Sequence, residues 1–271
     1  MPTESWVVSG PQIIELEEIR ALRVGLVGGR VDVVAHEDDA DRSARVEVHD
    51  VDGRPLEVSL VDGELKVGYG HTLGGWESFL DKLRNFSDKD SASVHIAIPR
   101  DARVRLGTVA AEGLLARVRE DAQVSTVSGA LVTDHTLGAL AAKTVSGEIS
   151  VRDHTGDLTL STVSGDLTAS GALSRVTTNS VSGAVSLDLT STTSTLSATT
   201  VSGDVTLRLP HGVGLGVEAK AVSGRVVIDG VDHTSSRPGR THVDTRSGGT
   251  GCYVTVSTVS GNLTVLRTSA S

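Results

Sequence analysis

An all-β fold, a single-stack β-solenoid with coils of about 18 residues, is what this sequence predicts, and three observations carry the prediction. Val-Ser-Gly returns with its glycine at Gly129, Gly147, Gly165, Gly183, Gly203, Gly224 and Gly261, at intervals of 18, 18, 18, 20, 21 and 37 residues. A period of that size marks stacked supersecondary units, each burying its apolar side against its neighbours. Between the glycines, apolar residues alternate with Ser, Thr or charged ones, the period of a strand with one buried face. Aromatic residues make up only 2% of the chain, and 30 glycines accompany six prolines. The interior is therefore narrow enough for Val, Leu, Ala and Thr to fill, and the chain reverses often without breaking its strands.

Residues 1–105 read as the divergent, capping end of the solenoid, because terminal repeats are usually atypical. The buried template fits Leu22, Val24, Val27, Gly29, Val31 and Val33, fits again at Leu56, Val58, Val61, Gly63, Leu65 and Val67, and recurs weakly around Gly113. An insertion over 70–91 interrupts it. Tyr69, Trp76, Phe79 and Phe86 are four of the six aromatic residues, and Trp76, Phe79, Leu80 and Leu83 recur at helical spacing. A short amphipathic helix over about 75–86 is expected there, as a lid on the open end or as a docking surface formed by Tyr69, Trp76, Phe79, Leu80, Leu83 and Phe86.

Residues 106–271 read as the regular solenoid, broken by a polar, mobile loop over 230–251 before a closing rung through Leu266. The valine two before each glycine is expected to point inward, with the glycine at a corner of positive φ. That parity turns outward two hydroxyl columns, Thr126, Thr144, Thr162 and Thr200 beside Ser128, Ser146, Ser164 and Ser202. Such columns suit any exposed strand face; as a regular array they could also bind ice or a glycan.

A formal net charge of −9 with no Lys/Arg run argues against nucleic acid or anionic membrane as a partner. One cysteine, Cys252, excludes a disulfide framework and a Cys-based zinc site, and reads as a small strand residue. The N-terminus lacks a signal-peptide pattern and no run of about 18 apolar residues occurs, so the expectation is a cytoplasmic protein without membrane insertion.

Chemistry has few footholds. Asp134-His135 and Asp153-His154 occur at nearly equivalent corners, and two imidazoles and two carboxylates at that spacing could hold a divalent metal; turn preference explains the same residues without one. No Gly-x-Ser-x-Gly elbow is present, and Gly212-Val213-Gly214-Leu215-Gly216 has the wrong glycine spacing for a nucleotide loop. The reading is a non-catalytic scaffold or interaction module without a cofactor, binding a protein partner or a second copy of itself; the alternatives are an adhesin-like hydroxyl array that binds a glycan or a surface and, more remotely, a metal-dependent enzyme.

The order of these features resembles the actinobacterial members of the putative-adhesin, or toast-rack, family of β-strand repeat proteins of unknown function. The resemblance rests on Gly29-Arg30-Val31-Asp32-Val33 after an opening strand pair, the aromatic insertion from Tyr69 to Phe86, the strand Val94-His95-Ile96-Ala97-Ile98-Pro99, and the Ser-Gly-x-hydrophobic ladder with its long loop before the final strand. It implies a β-repeat fold, no established catalytic residues to carry over, and relatives linked to the cell envelope.

Overall fold

The structure, a computed structural model, describes residues 4–38, 40–69, 90–192, 194–234, 241–248 and 251–268. Every regular element among them is a β-strand. They fall into two compact units, Met1–Leu140 and Ala141–Ser271. The expected helix, and with it Trp76, Phe79, Leu80, Leu83 and Phe86, lies outside the described residues.

The first unit carries β1 (Glu4–Val8), β2 (Gln12–Leu16), β3 (Ala21–Leu26), β4 (Gly28–Ala35), β5 (Ala44–Asp52), β6 (Leu56–Val61), β7 (Glu64–Gly68), β8 (Ser91–Ile98), β9 (Arg103–Thr108), β10 (Glu112–Ala116), β11 (Ala122–Thr126) and β12 (Leu131–Asp134). Two ladders result. One runs β7, β3, β9, β11 and the other β8, β4, β10, β12, all parallel. Antiparallel strands close the same end of both: β6 then β1 on β7, and β5 then β2 on β8.

The chain continues through β13 (Leu137–Thr144) into β14 (Ile149–Thr162), β15 (Leu167–Ser180), β16 (Val185–Leu189), β17 (Ser194–Thr200), β18 (Val205–Leu209), β19 (Leu215–Ala221), β20 (Val226–Ile228), β21 (Val231–Asp232), β22 (Thr241–Ser247), β23 (Cys252–Thr258) and β24 (Leu263–Arg267). Parallel pairing here follows β14, β15, β17, β23, β19 on one face and β14, β15, β16, β18, β24, β20 on another. The long β14 and β15 serve both ladders, each bending between them.

Rung order is not chain order at either end. The first rung in sequence, β3–β4, sits between β7–β8 and β9–β10, and the last, β23–β24, sits between β17–β18 and β19–β20. Leu266 therefore belongs to a rung inserted one place inside the stack, and the terminal rung is Leu215–Ile228. The segment expected as a mobile loop over 230–251 supplies β22, antiparallel to β19 in full register from Leu215↔Ser247 to Ala221↔Thr241. Its exposed polar residues His242, Asp244 and Arg246 suit an edge strand that must resist further pairing.

The core is aliphatic. Leu22, Leu65, Leu106, Leu115, Leu131, Ile149 and Leu158 are among the fully buried side chains, each contributing about 1.5–3 kcal/mol on leaving water. Pairing also corrects two template matches. Leu65 and Val67 face Leu22 and Val24 in the ladder before the corner, so Gly63 is no corner. Asp62 (φ 51) and Gly63 (φ 78) instead form the tight turn joining β6 to β7. Gly113 pairs with Leu131, which makes Ala111 the counterpart of Gly129. A period of two reads the same on either side of a corner, hence both slips.

Candidate contact surface

Thr-Val-Ser-Gly folds into a corner whose parity is the reverse of the expected one. Thr126, Thr144, Thr162 and Thr200 are buried, whereas Val163, Val181, Val201, Val222 and Val259 stand 47–49% exposed. The hydroxyl is the cause. In a chain turning this tightly the glycine N–H faces inward with no strand partner, and the threonine Oγ1 accepts it at 2.9 Å in Gly129, Gly147 and Gly203 and at 2.8 Å in Gly261. Valine could not do this, and an unpaired buried N–H is costly. Thr126, Thr144 and Thr200 are thus corner caps, Thr162 is tied to its corner by donating to the Gly165 carbonyl at 2.8 Å, and none of the four is part of an exposed array.

The serines do face solvent, and each is tied to the neighbouring rung. Ser164, Ser182, Ser202 and Ser260 each give both N–H and O–H to one valine carbonyl of the adjacent rung, with N–H distances of 2.8–2.9 Å and O–H distances of 3.2–3.4 Å. Ser128 does the same to Val109, and Ser146 is exposed.

The repeated glycines are absent from the positive-φ positions. What requires them is close approach: a Cβ on Gly165 would collide with the Gly147 carbonyl, on Gly183 with that of Gly165, and on Gly261 with that of Gly203. The left-handed residue falls six positions further on, at Arg117 (φ 65), His135 (φ 50), Asp153 (φ 48) and Gly171 (φ 140), the sixth residues after Ala111, Gly129, Gly147 and Gly165.

That placement sets one metal candidate apart from three, the ligand atoms of Asp134, His135 and Asp153 lying within 4.8 Å of one another. His135 occupies the left-handed turn, exposed, with Nδ1 2.9 Å from the Asp134 carboxylate. His154 lies seven residues after its glycine, so it points the opposite way; it is fully buried, with Nε2 3.2 Å from the Asp157 carbonyl. Asp153 is exposed in the turn. A one-residue offset has sent the two imidazoles to opposite sides of the backbone, and His154 is core.

Tyr69, expected at a contact surface, is 2% exposed. Burial, and next the Asp90 charge, push its phenol up to about 12. Beside it the buried Asp90 carboxylate accepts from Arg54 Nε at 2.8 Å, Nη2 at 2.5 Å and the Arg54 backbone N–H at 3.0 Å. This cluster joins the residues flanking 70–89 to the end of β5. A second clamp holds the inserted rung: Arg267 gives Nε (2.9 Å), Nη2 (2.5 Å) and its N–H (3.0 Å) to Asp229. No periodic signal in the sequence marks either pair, because each joins residues 36 or 38 positions apart.

The surface that stands out belongs to the second unit. In four successive rungs the outward positions leading to and forming the corner are Thr159, Ser161, Val163, Ser164; Thr177, Asn179, Val181, Ser182; Ser197, Thr199, Val201, Ser202; and Thr255, Ser257, Val259, Ser260. All are exposed or half-buried, and each column is in register. None carries a charge in a chain that is 22% charged. The fold does not demand this. The column of Thr159, Thr177, Ser197 and Thr255 has as its first-unit counterpart Lys66, Arg23, Arg105 and Gln123. Rungs about 4.8 Å apart and outward residues about 6.6 Å apart along each strand make it a regular lattice.

The fold and this surface define a β-strand repeat protein with a patterned, uncharged face. The chain belongs to the Toastrack DUF4097 family, whose model matches residues 30–266. Among solved structures it is similar to a putative lipid binding protein from Parabacteroides distasonis, with 12% identity over 95% of this chain and 97% of that one and a TM-score of 0.56. It is also similar to a putative adhesin from Bacteroides fragilis (12% identity, 96% and 100% covered, TM-score 0.49) and a putative cell adhesion protein from Clostridium sporogenes (12%, 98% and 100%, 0.33). At that identity the first likeness shows a shared fold. No curated protein matches the sequence. No helix among the described residues is long and apolar enough to cross a membrane.

Proposed function

We propose that this protein is a non-catalytic binding scaffold whose parallel ladders are the rungs of a β-solenoid in each unit, and that its contact surface is the charge-free lattice of the second unit. One observation carries the reading: four columns over four rungs hold hydroxyl, amide and isopropyl groups alone, while the first-unit column equivalent to Thr159, Thr177, Ser197 and Thr255 carries Lys66, Arg23 and Arg105. Pre-ordered groups on a rigid sheet bind with little loss of side-chain freedom. A negative chain with a neutral patch favours an uncharged partner over nucleic acid. The corner hydroxyls are engaged within the fold, and no nucleophile lies beside a base there, which is why binding is preferred to catalysis.

The test is retention of fractionated host protein, envelope and polysaccharide on immobilised protein. Thr177→Glu with Thr199→Glu should abolish retention of whichever fraction binds, while Asp166→Lys with Asp204→Lys, outside the lattice, should not. Equal retention by the wild type and the lattice variant would refute the assignment.

A further inference from the structure

The lattice also limits what can lie on it, and from it we infer that the partner is an extended, uncharged polysaccharide running along the ladder with one sugar unit per rung; this rests on the contact surface proposed above. Each rung presents two hydrogen-bonding side chains, as in Thr177 and Asn179, and then an isopropyl group, as in Val181. A pyranose presents the same mixture, hydroxyls around its rim and C–H groups on its faces, and the rung spacing of about 4.8 Å is close to the advance per residue of an extended hexopyranose chain.

Neutrality excludes the alternatives one by one. Phosphorylated, sulfated or uronic chains would need cations, which the four columns lack and the net charge of −9 disfavours, Arg175 at the border facing Asp157 in the adjacent rung. A second copy would need a larger apolar area than one ridge of half-exposed valines.

A second, independent feature borders the lattice. Tyr253 precedes Thr255 and Ser257 on β23, is 43% exposed, and is paired across β19 with Gly216. A Cβ at Gly216 would stand 3.0 Å from the ring, so glycine leaves the ring free to lie against the neighbouring strand, its other face toward solvent. The Tyr253 hydroxyl gives a hydrogen bond to Glu218 at 3.4 Å, which holds it there. Flat aromatic faces stack on sugar C–H groups; the column of Tyr253 also holds Asp157, Arg175 and Thr195, so charged groups border the neutral lattice there and at the Glu218–Lys220 pair (2.7 Å).

Isothermal titration of the full chain with cellohexaose and mannohexaose, and with hexagalacturonate as a charged control, tests the inference. Binding of a neutral hexaose but not hexagalacturonate is expected, weakened at least tenfold in Tyr253→Ala and in Thr177→Glu with Thr199→Glu, with circular dichroism and melting unchanged. Binding undiminished by the lattice variant would overturn the inference. So would the absence of any neutral-hexaose binding while a protein or membrane fraction is still retained through the lattice, an outcome that spares the scaffold reading. Thermal hysteresis without oligosaccharide binding would overturn it in favour of ice. Loss of lattice-dependent retention altogether would remove both readings.

Discussion

Replacing Thr200 by valine exchanges one hydroxyl for one methyl at almost constant volume, inside a corner where the side chain is 3% exposed. The structure assigns that hydroxyl one task, accepting the buried Gly203 N–H at 2.9 Å. Without it the N–H has no acceptor, and water cannot enter a site closed by the neighbouring rung. A buried donor left unsatisfied costs about 1–3 kcal/mol, against a few tenths regained from the extra apolar contact, so a net loss of about 1–2 kcal/mol is expected. The neighbouring substitution Val201→Thr makes the opposite exchange on a side chain 48% exposed and should stay within about 0.5 kcal/mol. Urea unfolding at pH 7, analysed by linear extrapolation at a common slope, measures both. If Val201→Thr proves the more costly, the valine is core and the corner assignment is refuted.

Three further outcomes follow from the same geometry. Gly165→Ala should destabilise by about 2 kcal/mol even though φ there is unstrained, because the added Cβ meets the Gly147 carbonyl and the rungs must part; an unchanged melting temperature would contradict the close stacking. At Asp229 burial raises the carboxyl pKa, but hydrogen bonds from the Arg267 side chain and backbone, with its charge, outweigh this and hold it below the usual range. A depressed carboxyl contributes stability above its unfolded value of about 3.9 and loses it as pH falls through the folded one, so Asp229→Asn should melt below the wild type at pH 7 and converge with it below about pH 4. Asparagine tolerates the left-handed backbone at this position (φ 48), which isolates the charge. Cys252, buried on the inserted rung with its thiol pushed up to about 11 by burial, should resist iodoacetamide at pH 8 and be alkylated only as fast as β23 leaves the stack; rapid labelling of native protein would show that rung to be open.

The all-β class, the spacing of the rungs and most of the aliphatic core follow from local pattern, since alternation puts Leu158, Val176, Leu196 and Val254 on one side of their strands whatever they pack against. At the corners the same pattern misled. Two adjacent residues compete for the interior, hydropathy favours the valine, and the structure buries the threonine because a backbone N–H needs its oxygen. The contact surface was legible only in its serine column, Ser164 and Ser202 among it; once the parity of the corner is reversed, the other outward hydroxyls are Thr159, Thr177, Ser197 and Thr255 rather than the Thr126 column. His135 and His154 show how little separates the two outcomes, one residue of offset placing one imidazole in solvent and the other in the core.

Local chemistry, repeated every coil, determined the unit of this protein: strand, corner and strand again, with glycine where backbones touch and serine where rungs are tied. Only the tertiary structure decided the order in which those units stack. Equivalent rungs offer nearly identical edges, so the sequence of one rung does not name its neighbour. The order is set by the ends, where antiparallel β1, β2, β5 and β6 and then β21 and β22 cover edges that parallel stacking would leave open, and where β3–β4 and β23–β24 are held one place inside.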